Sequence, residues 1–409
     1  MIWPFTRASG VEMAGFVDKN SVFHAAHSIN KGELVIHYFN YTNHSATGWW
    51  GRRDFVQRWW RLGKSDSRWS PPYYPRLRQA LDPTRNVYWV RRPMILQHLE
   101  ALPRRSTTNS YTSGTGFAGA LMEEPVAATV VLVDQRRRDS TAYISLLHCV
   151  NDSETLERLF DGIMENLAEW GCHRLIGPTG LSPHSQSGVL QNFFHVTPPL
   201  HTAYNPPYLP ELMEGILQPF MRSHLYVLPT PIDYPPSSSH PARIIPFAPE
   251  RLSQDLLPLL VAASEATGDF PPPDTEEAAF LLRWLQVEPC IGWLAEVDQQ
   301  NVGFVLLQAD LSANLRRANG GRTLLWRWWL EWRNKRRVRA GRLLFGGVLP
   351  ARRGQGIGRQ LWAQALLTAQ QQGWQSMTIG PIAETTPGAA VLEKWGAKTQ
   401  QQYVIYTNE

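Results

Sequence analysis

The sequence predicts two tandem α/β units, each a mixed sheet flanked by helices. Three observations carry this reading: a length of 409 residues, a Pro/Ser-rich break ahead of residue 243, and an order of elements that recurs on both sides of it. A chain of this length exceeds one ordinary domain. Its 43% hydrophobic content is enough for two cores, and 18% charged residues mark a globular protein.

The break is VLPTPIDYPPSSSHPA, Val227 to Ala242. Proline and serine make it a semi-extended linker. It divides the chain into residues 1–228, a linker over 229–242, and residues 243–409.

The elements pair off in order. EPVAATVVLVD (Glu124 to Asp134) and QNVGFVLLQAD (Gln300 to Asp310) are apolar, β-branched runs typical of central strands. ISLLHCV (Ile144 to Val150) and RLLFGGV (Arg342 to Val348) are strand-like, and each leads into a helical pattern that stops at Gly171 or Gly373. HRLIGP and SMTIGP follow as strands. NPPYLPELMEG and TPGAAVLEKWG then read as helices started by Pro and stopped by Gly. The copies differ in two places. From Val348 to Ile379 the step is 31 residues, and from Val150 to Ile176 it is 26, because the first copy lacks a glycine-rich turn. That first copy instead carries an insertion, TGLSPHSQSGVLQNFFHVTPPLHTAY, with His184, Ser185, Gln186, Ser187, Asn192 and His195.

The glycine-rich turn is PARRGQGIGRQLW, Pro350 to Trp362. Gly354, Gly356 and Gly358 let successive N–H groups converge at a helix start, where the partial positive charge favours an anion. Arg352, Arg353 and Arg359 add formal charge. No Walker lysine is present, and the spacing is not that of a dinucleotide fingerprint. The turn is suited to the pyrophosphate of another carrier.

VLPARRGQGIG resembles the acyl-CoA pyrophosphate motif of the GNAT acetyltransferase superfamily, with Arg353, Gly356 and Gly358 at its marked positions. TPGAAVLEKWGA is similar to the helix that follows in that superfamily. The resemblance covers about Ile244 to the C-terminus. WSPPYYPRLRQALDPTRNVYW and AYNPPYLPELMEG extend it to an uncharacterised bacterial family with tandem GNAT-like halves. It implies two GNAT-like units, the first degenerate, and an acyl-CoA, with acetyl-CoA foremost, as co-substrate without a metal. Val348, Leu349, Arg353, Gly354, Gln355, Gly356, Ile357, Gly358 and Arg359 would bind it, with an N–H of Val348 or Leu349 facing the thioester oxygen. The acceptor would be a small-molecule amine attacking directly.

The tyrosine that usually protonates the departing thiolate has Leu392 in its place. Tyr403 is the substitute expected here, with Tyr406 beside it, and Glu384 is the expected base. A non-catalytic CoA-binding or scaffolding protein is the alternative reading.

Other features narrow the class. A net charge of +5 suits anionic ligands without demanding nucleic acid. Cys149, Cys172 and Cys290 cannot build a disulfide framework or a Cys-x-x-Cys metal site. With no secretory or membrane-spanning pattern, the expectation is a cytoplasmic protein that admits a homodimer. RTLLWRWWLEWRNKRRVRAGR, Arg322 to Arg342, is expected to pack its tryptophans on the domain. A lipid or nucleic-acid contact is the sharper alternative.

Overall fold

The computed structural model describes residues 36–41, 49–86, 89, 92–101, 124–137, 139–182, 184–185, 188–230, 242–248, 251–264, 270–285, 290–334 and 338–409. Most of the predicted linker, 231–241, lies outside them, as do Gln186 and Ser187 of the insertion.

The first half runs β1 (Ile36–Tyr41), α1 (Trp49–Lys64), α2 (Tyr74–Ala80), β2 (Met94–Ala101), β3 (Glu124–Val133) and β4 (Thr141–Cys149). It continues through α3 (Ser153–Glu169), β5 (Arg174–Thr179), β6 (Val189–Leu190), α4 (Leu209–Glu214) and β7 (Gln218–Pro229). The second half runs β8 (Arg243–Pro246), α5 (Leu257–Ala263), α6 (Thr275–Leu285), β9 (Ile291–Val297), β10 (Gln300–Ala309), α7 (Ser312–Arg317) and α8 (Leu324–Asn334). It ends with β11 (Ala340–Val348), α9 (Ile357–Gln371), β12 (Ser376–Ala383), α10 (Pro387–Lys394) and β13 (Lys398–Thr407). The predicted repeat is thus realised as β3/β10, β4/β11, α3/α9, β5/β12 and α4/α10, and the structure adds β7/β13 as a further pair.

The strands form one sheet in the order β1-β2-β3-β4-β5-β13-β7-β12-β11-β10-β9-β8, with β6 pairing β13. Two crossovers are parallel, β4 to β5 and β11 to β12. Each is bridged by a helix whose apolar stripe packs on the sheet: Leu156, Leu159, Ile163 and Leu167 in α3, and Leu361, Ala365 and Ala369 in α9. Asp152 caps α3 by accepting from the Thr155 N–H at 2.8 Å.

At the centre, the two halves exchange strands. β7, from the first half, lies between β12 and β13. β13, the last strand of the chain, pairs with β5 of the first half. One core cluster accordingly mixes Phe55, Trp59 and Trp60 of α1 with Phe280, Leu281 and Trp284 of α6.

α8 departs from its expectation. Of its side chains only Leu330 is buried, while Leu324, Leu325, Trp328 and Trp332 are exposed. The expected packing is met only in part: Trp329 is half-buried against the cluster of Leu311, Leu315 and Leu330, whereas Trp328 and Trp332 turn outward. Among the described residues, no helix is long and apolar enough to cross a membrane.

Candidate acyl-CoA and acceptor site

The site begins where two parallel strands part. β11 and β12 stay in register from Ala340–Ser376 to Leu343–Ile379, and their pairing ends there. β11 continues along β10, while β12 stays beside β7 from Ser376 to Ala383, with an irregularity between Ile379 and Ile382. A gap opens between them.

The register shows which backbone groups face that gap. Leu349 donates its N–H to the carbonyl of Val302 at 2.9 Å, on either side of the Gly303–Val348 pair. This makes Gly303–Val348 a non-hydrogen-bonded pair, so the N–H and C=O of Val348 point away from β10, into the gap. Two residues back, Gly346 does the same. Of the two amides expected near a thioester, Leu349 is committed to the sheet and Val348 is not. Gly347 is required by close packing, since a Cβ there would stand 3.0 Å from the Ala263 Cβ and 3.2 Å from Phe304.

Beyond β11 a short 3-10 turn, Pro350–Arg352, leads into the glycine turn. Gly354 and Gly356 sit at φ +76° and +81°, the left-handed region that glycine enters without Cβ strain. Gly356 is the N-cap of α9. The N–H groups of Ile357, Gly358 and Arg359 have no intrahelical acceptor, and the helix dipole concentrates positive charge on them. Gly354, Gln355, Gly358 and Arg359 are exposed, and the side chain of Ile357 anchors the turn in the core.

Arg353 behaves differently from its neighbours. Its backbone N–H is donated to Pro350, and its guanidinium to the carbonyls of Val348 at 3.1 Å and Ala263 at 2.9 Å. The side chain braces the end of β11 against α5 instead of reaching outward. The amides that converge on an anion therefore run from Gly354 to Arg359.

The gap opens into a cleft of about 450 Å³. Leu260 and Ala263 of α5, Phe270, Leu281 of α6 and Phe304 supply apolar wall, and Ser223 comes from β7. Two histidines of the first half, His184 and His201, also line it. The predicted insertion thus reaches the cleft.

His184 Nε2 lies 2.9 Å from the Pro271 carbonyl, which can only accept, so Nε2 carries the proton and Nδ1 a lone pair. Burial holds its pKa below the usual histidine value, which keeps the ring neutral. Arg342 lies where the strands part, 4% exposed, and donates Nη2 to the Gly380 carbonyl at 2.6 Å. Nothing in the local sequence marked Arg342. On an amphipathic strand it would be expected on a solvated face.

Of the expected catalytic residues, Glu384 is exposed beside the cleft and Tyr403 is enclosed. Glu384 lies just past β12, with Oε1 2.6 Å from His224 Nε2 and its side chain 46% exposed. Its neighbours Ala383 and Thr386 line the cleft. Tyr403 has no exposed surface, and its hydroxyl donates to Gln401 Oε1 at 3.3 Å. Burial raises its pKa strongly. Tyr406 is equally enclosed, and Leu392 packs in the core under α10. The long hydrophobic stretch of β13 draws both tyrosines inside, because the strand is central to the joined sheet.

Residues 259–397 match the acetyltransferase (GNAT) family. This stretch is similar to GNAT domains. Two solved structures share the fold over most of the chain. One is a tandem GNAT protein from the clavulanic acid biosynthesis pathway, solved without AcCoA. It has 10% identity and a TM-score of 0.53, over 91% of this chain and 98% of that one. The other is a GCN5-related glucosamine N-acetyltransferase region in a fungal multi-domain GH3 β-N-acetylglucosaminidase. It has 12% identity and a TM-score of 0.52, over 92% of this chain and 38% of that one. At these identities the likeness concerns the fold, which is a tandem GNAT arrangement. No curated protein matches the chain. The match takes in the strand gap, the glycine turn and α9, and it stops short of β13.

The first GNAT-like half lacks the same equipment. Its β4 and β5 part after Tyr143–Ile176 and touch again only at Ser145–Thr179. Its crossover helix starts at an aspartate cap with no glycine turn. Trp59, Trp69 and His148 pack at the mouth of the space between the strands.

Proposed function

We propose that this protein transfers an acyl group, acetyl foremost, from acyl-CoA to an amine on a small molecule. The reading rests on one observation: the unpaired edge of β11 leads straight onto the exposed, left-handed glycine turn at the start of α9. An edge that presents amide and carbonyl groups, ending at an anion cradle, fits an extended amide chain with a diphosphate at its end.

Acyl-CoA supplies the electrophilic thioester carbonyl. Gly346, whose N–H also faces the gap and which lines the cleft together with Arg342, would donate to that oxygen as negative charge develops, while Val348, nearer the turn, would meet the extended amide arm. The amine nitrogen attacks the carbonyl carbon, the C–N bond forms and the C–S bond breaks. His184 Nδ1, neutral and lining the cleft, takes the proton the amine must lose. The thiolate is a tolerable leaving group and takes its proton from water. Tyr403 is not needed in this scheme. Glu384 acts at one remove, holding His224 of β7.

Calorimetry with CoA and thiol release with an amine panel test the reading. Gly356→Glu should abolish CoA binding, because a carboxylate would occupy the anion cradle on a strained backbone. His184→Gln should lower turnover by 10²- to 10⁴-fold (the usual worth of a general base) with CoA affinity unchanged, while Glu384→Gln should have a smaller effect. CoA binding that survives Gly356→Glu would sink the proposal. CoA binding without thiol release would leave the CoA-binding, non-catalytic alternative.

A further inference from the structure

We propose that the acceptor carries a carboxylate beside its amine and that Arg342 binds it. This rests on the acyl-transfer reading above. Arg342 is enclosed, yet its Nε and Nη1 have no hydrogen-bond partner. Its Nη2 meets only carbonyls, that of Gly380 at 2.6 Å and that of His201 at 3.5 Å. Among the described residues no carboxylate reaches it. Asp310, which acts on it through space, accepts from the N–H groups of Leu200 and Ser312 instead. Asp274 and Glu277 are held by Arg92 and Arg136.

Burial lowers the Arg342 pKa to about 10, the mark of a cation waiting without its counterion. A buried, unpaired guanidinium is costly, and its planar fork matches a carboxylate bidentately. Its place excludes the cofactor's diphosphate: Val348, at the turn end of β11, lies six steps along the strand, about 20 Å of extended chain. It stands at the acceptor end of the cleft, on the same lining as His184 and Ser223.

The test compares amines that carry a carboxylate with their primary amides, at saturating acetyl-CoA. The wild type should prefer the acids by 10²-fold or more in kcat/KM. Arg342→Met should bring the acids down to the level of the amides with CoA affinity intact, and Arg342→Lys should recover part of the preference. Equal use of acid and amide by the wild type, or an equal loss for both in Arg342→Met, would overturn the proposal. Thermal stabilisation by the same acids, without acetyl-CoA, separates the two readings. If the acids protect wild type but not Arg342→Met while no amine is acylated, the carboxylate site stands and the transfer reading falls. No protection and no preference would remove the site.

A separate observation concerns α8. On a helical projection Leu324, Leu325, Trp328 and Trp332 share one side about 100° wide, and they are 78%, 80%, 71% and 47% exposed. The opposite side holds Leu330 in the core, with Arg327 and Arg333 flanking. Trp50, 72% exposed at the start of α1, lies near a cleft of about 380 Å³ that Arg52, Arg53, Arg78, Arg85 and Arg327 line. We infer that this face lies on an anionic lipid surface. Tryptophan and leucine enter the headgroup boundary while arginines meet phosphates. Exposed leucines offer nothing to stack on a base, which argues against nucleic acid, and the arginine cluster would repel its image in a second copy.

Vesicle sedimentation of the full chain decides this. Phosphatidylcholine vesicles containing phosphatidylglycerol should pull down the protein, pure phosphatidylcholine much less, and added salt should release it. Leu325→Glu/Trp328→Glu should abolish binding with CoA affinity unchanged. No binding to anionic vesicles would overturn the inference. So would a dimer, or a complex with DNA, that forms through this face in place of vesicle binding.

Discussion

Trp59 donates its indole N–H to the backbone carbonyl of Leu146 at 2.5 Å, across the parting strands of the first half. Leu146 occupies the place in β4 that Leu344 holds in β11. The indole therefore fills the equivalent of the gap left open in the second half. Around it Trp69 packs edge-on and His148 at a tilt, at centroid distances of 5.4 and 4.9 Å. The first half has exchanged a ligand channel for an aromatic plug.

One CoA per chain is the expected stoichiometry by calorimetry. Trp59→Ala should cost about 3–5 kcal/mol in urea unfolding, the usual cost of removing a buried aromatic. It should create no second site, since the glycine turn is still missing there.

Low pH should weaken the fold through His148. Burial pushes its pKa down to about 4 from 6.5. The unfolded chain then binds more protons between these values, so this contribution is complete above pH 6.5 and is lost as pH falls towards 4. The change amounts to about 3 kcal/mol. Urea midpoints measured across this window should fall with pH, and His148→Leu should flatten the slope.

Arg92 ties the halves together. It is 1% exposed and contacts Asp134 at 3.6 Å, Asp274 at 2.9 Å and Glu277 at 3.5 Å. Ser182 also donates to Glu277, at 2.6 Å. Arg92→Met strands buried carboxylates and should cost about 3–5 kcal/mol. Because Asp274 and Glu277 sit at the start of α6, a cleft wall, acceptor KM should rise as well.

Separating the halves should destroy both. Residues 243–409 alone would lack β7, which fills the space between β12 and β13. Residues 1–228 alone would leave β5 without β13. Each piece should be insoluble by itself and recover CoA binding only when the two are co-expressed.

The parts legible in the sequence were local ones. Hydrophobic period and Gly/Pro punctuation placed β3, β4, α3, β5 and their copies, because strand and helix periods are written into neighbouring residues. The turn from Gly354 to Gly358 announced an anion cradle, because backbone freedom at a helix start has few other uses. Glu384 and Tyr403 were drawn from proximity along the chain, which does not record that the folded sheet encloses Tyr403 and sets Glu384 against His224.

The amino-acid order by itself determined the duplicated α/β pattern and the phosphate-gripping turn, both consequences of short-range stereochemistry. Only the tertiary structure decided that β7 and β13 trade places, that Trp59 closes one channel while its counterpart stays open, and that Arg342 and His184 meet in one cleft. Those outcomes depend on contacts between residues far apart in the chain, from 87 positions for Trp59 and Leu146 to 259 for the Trp60–Asn319 hydrogen bond of 2.9 Å. Such pairings are selected by burial and hydrogen-bond satisfaction over the whole chain, and no stretch of neighbouring residues encodes them.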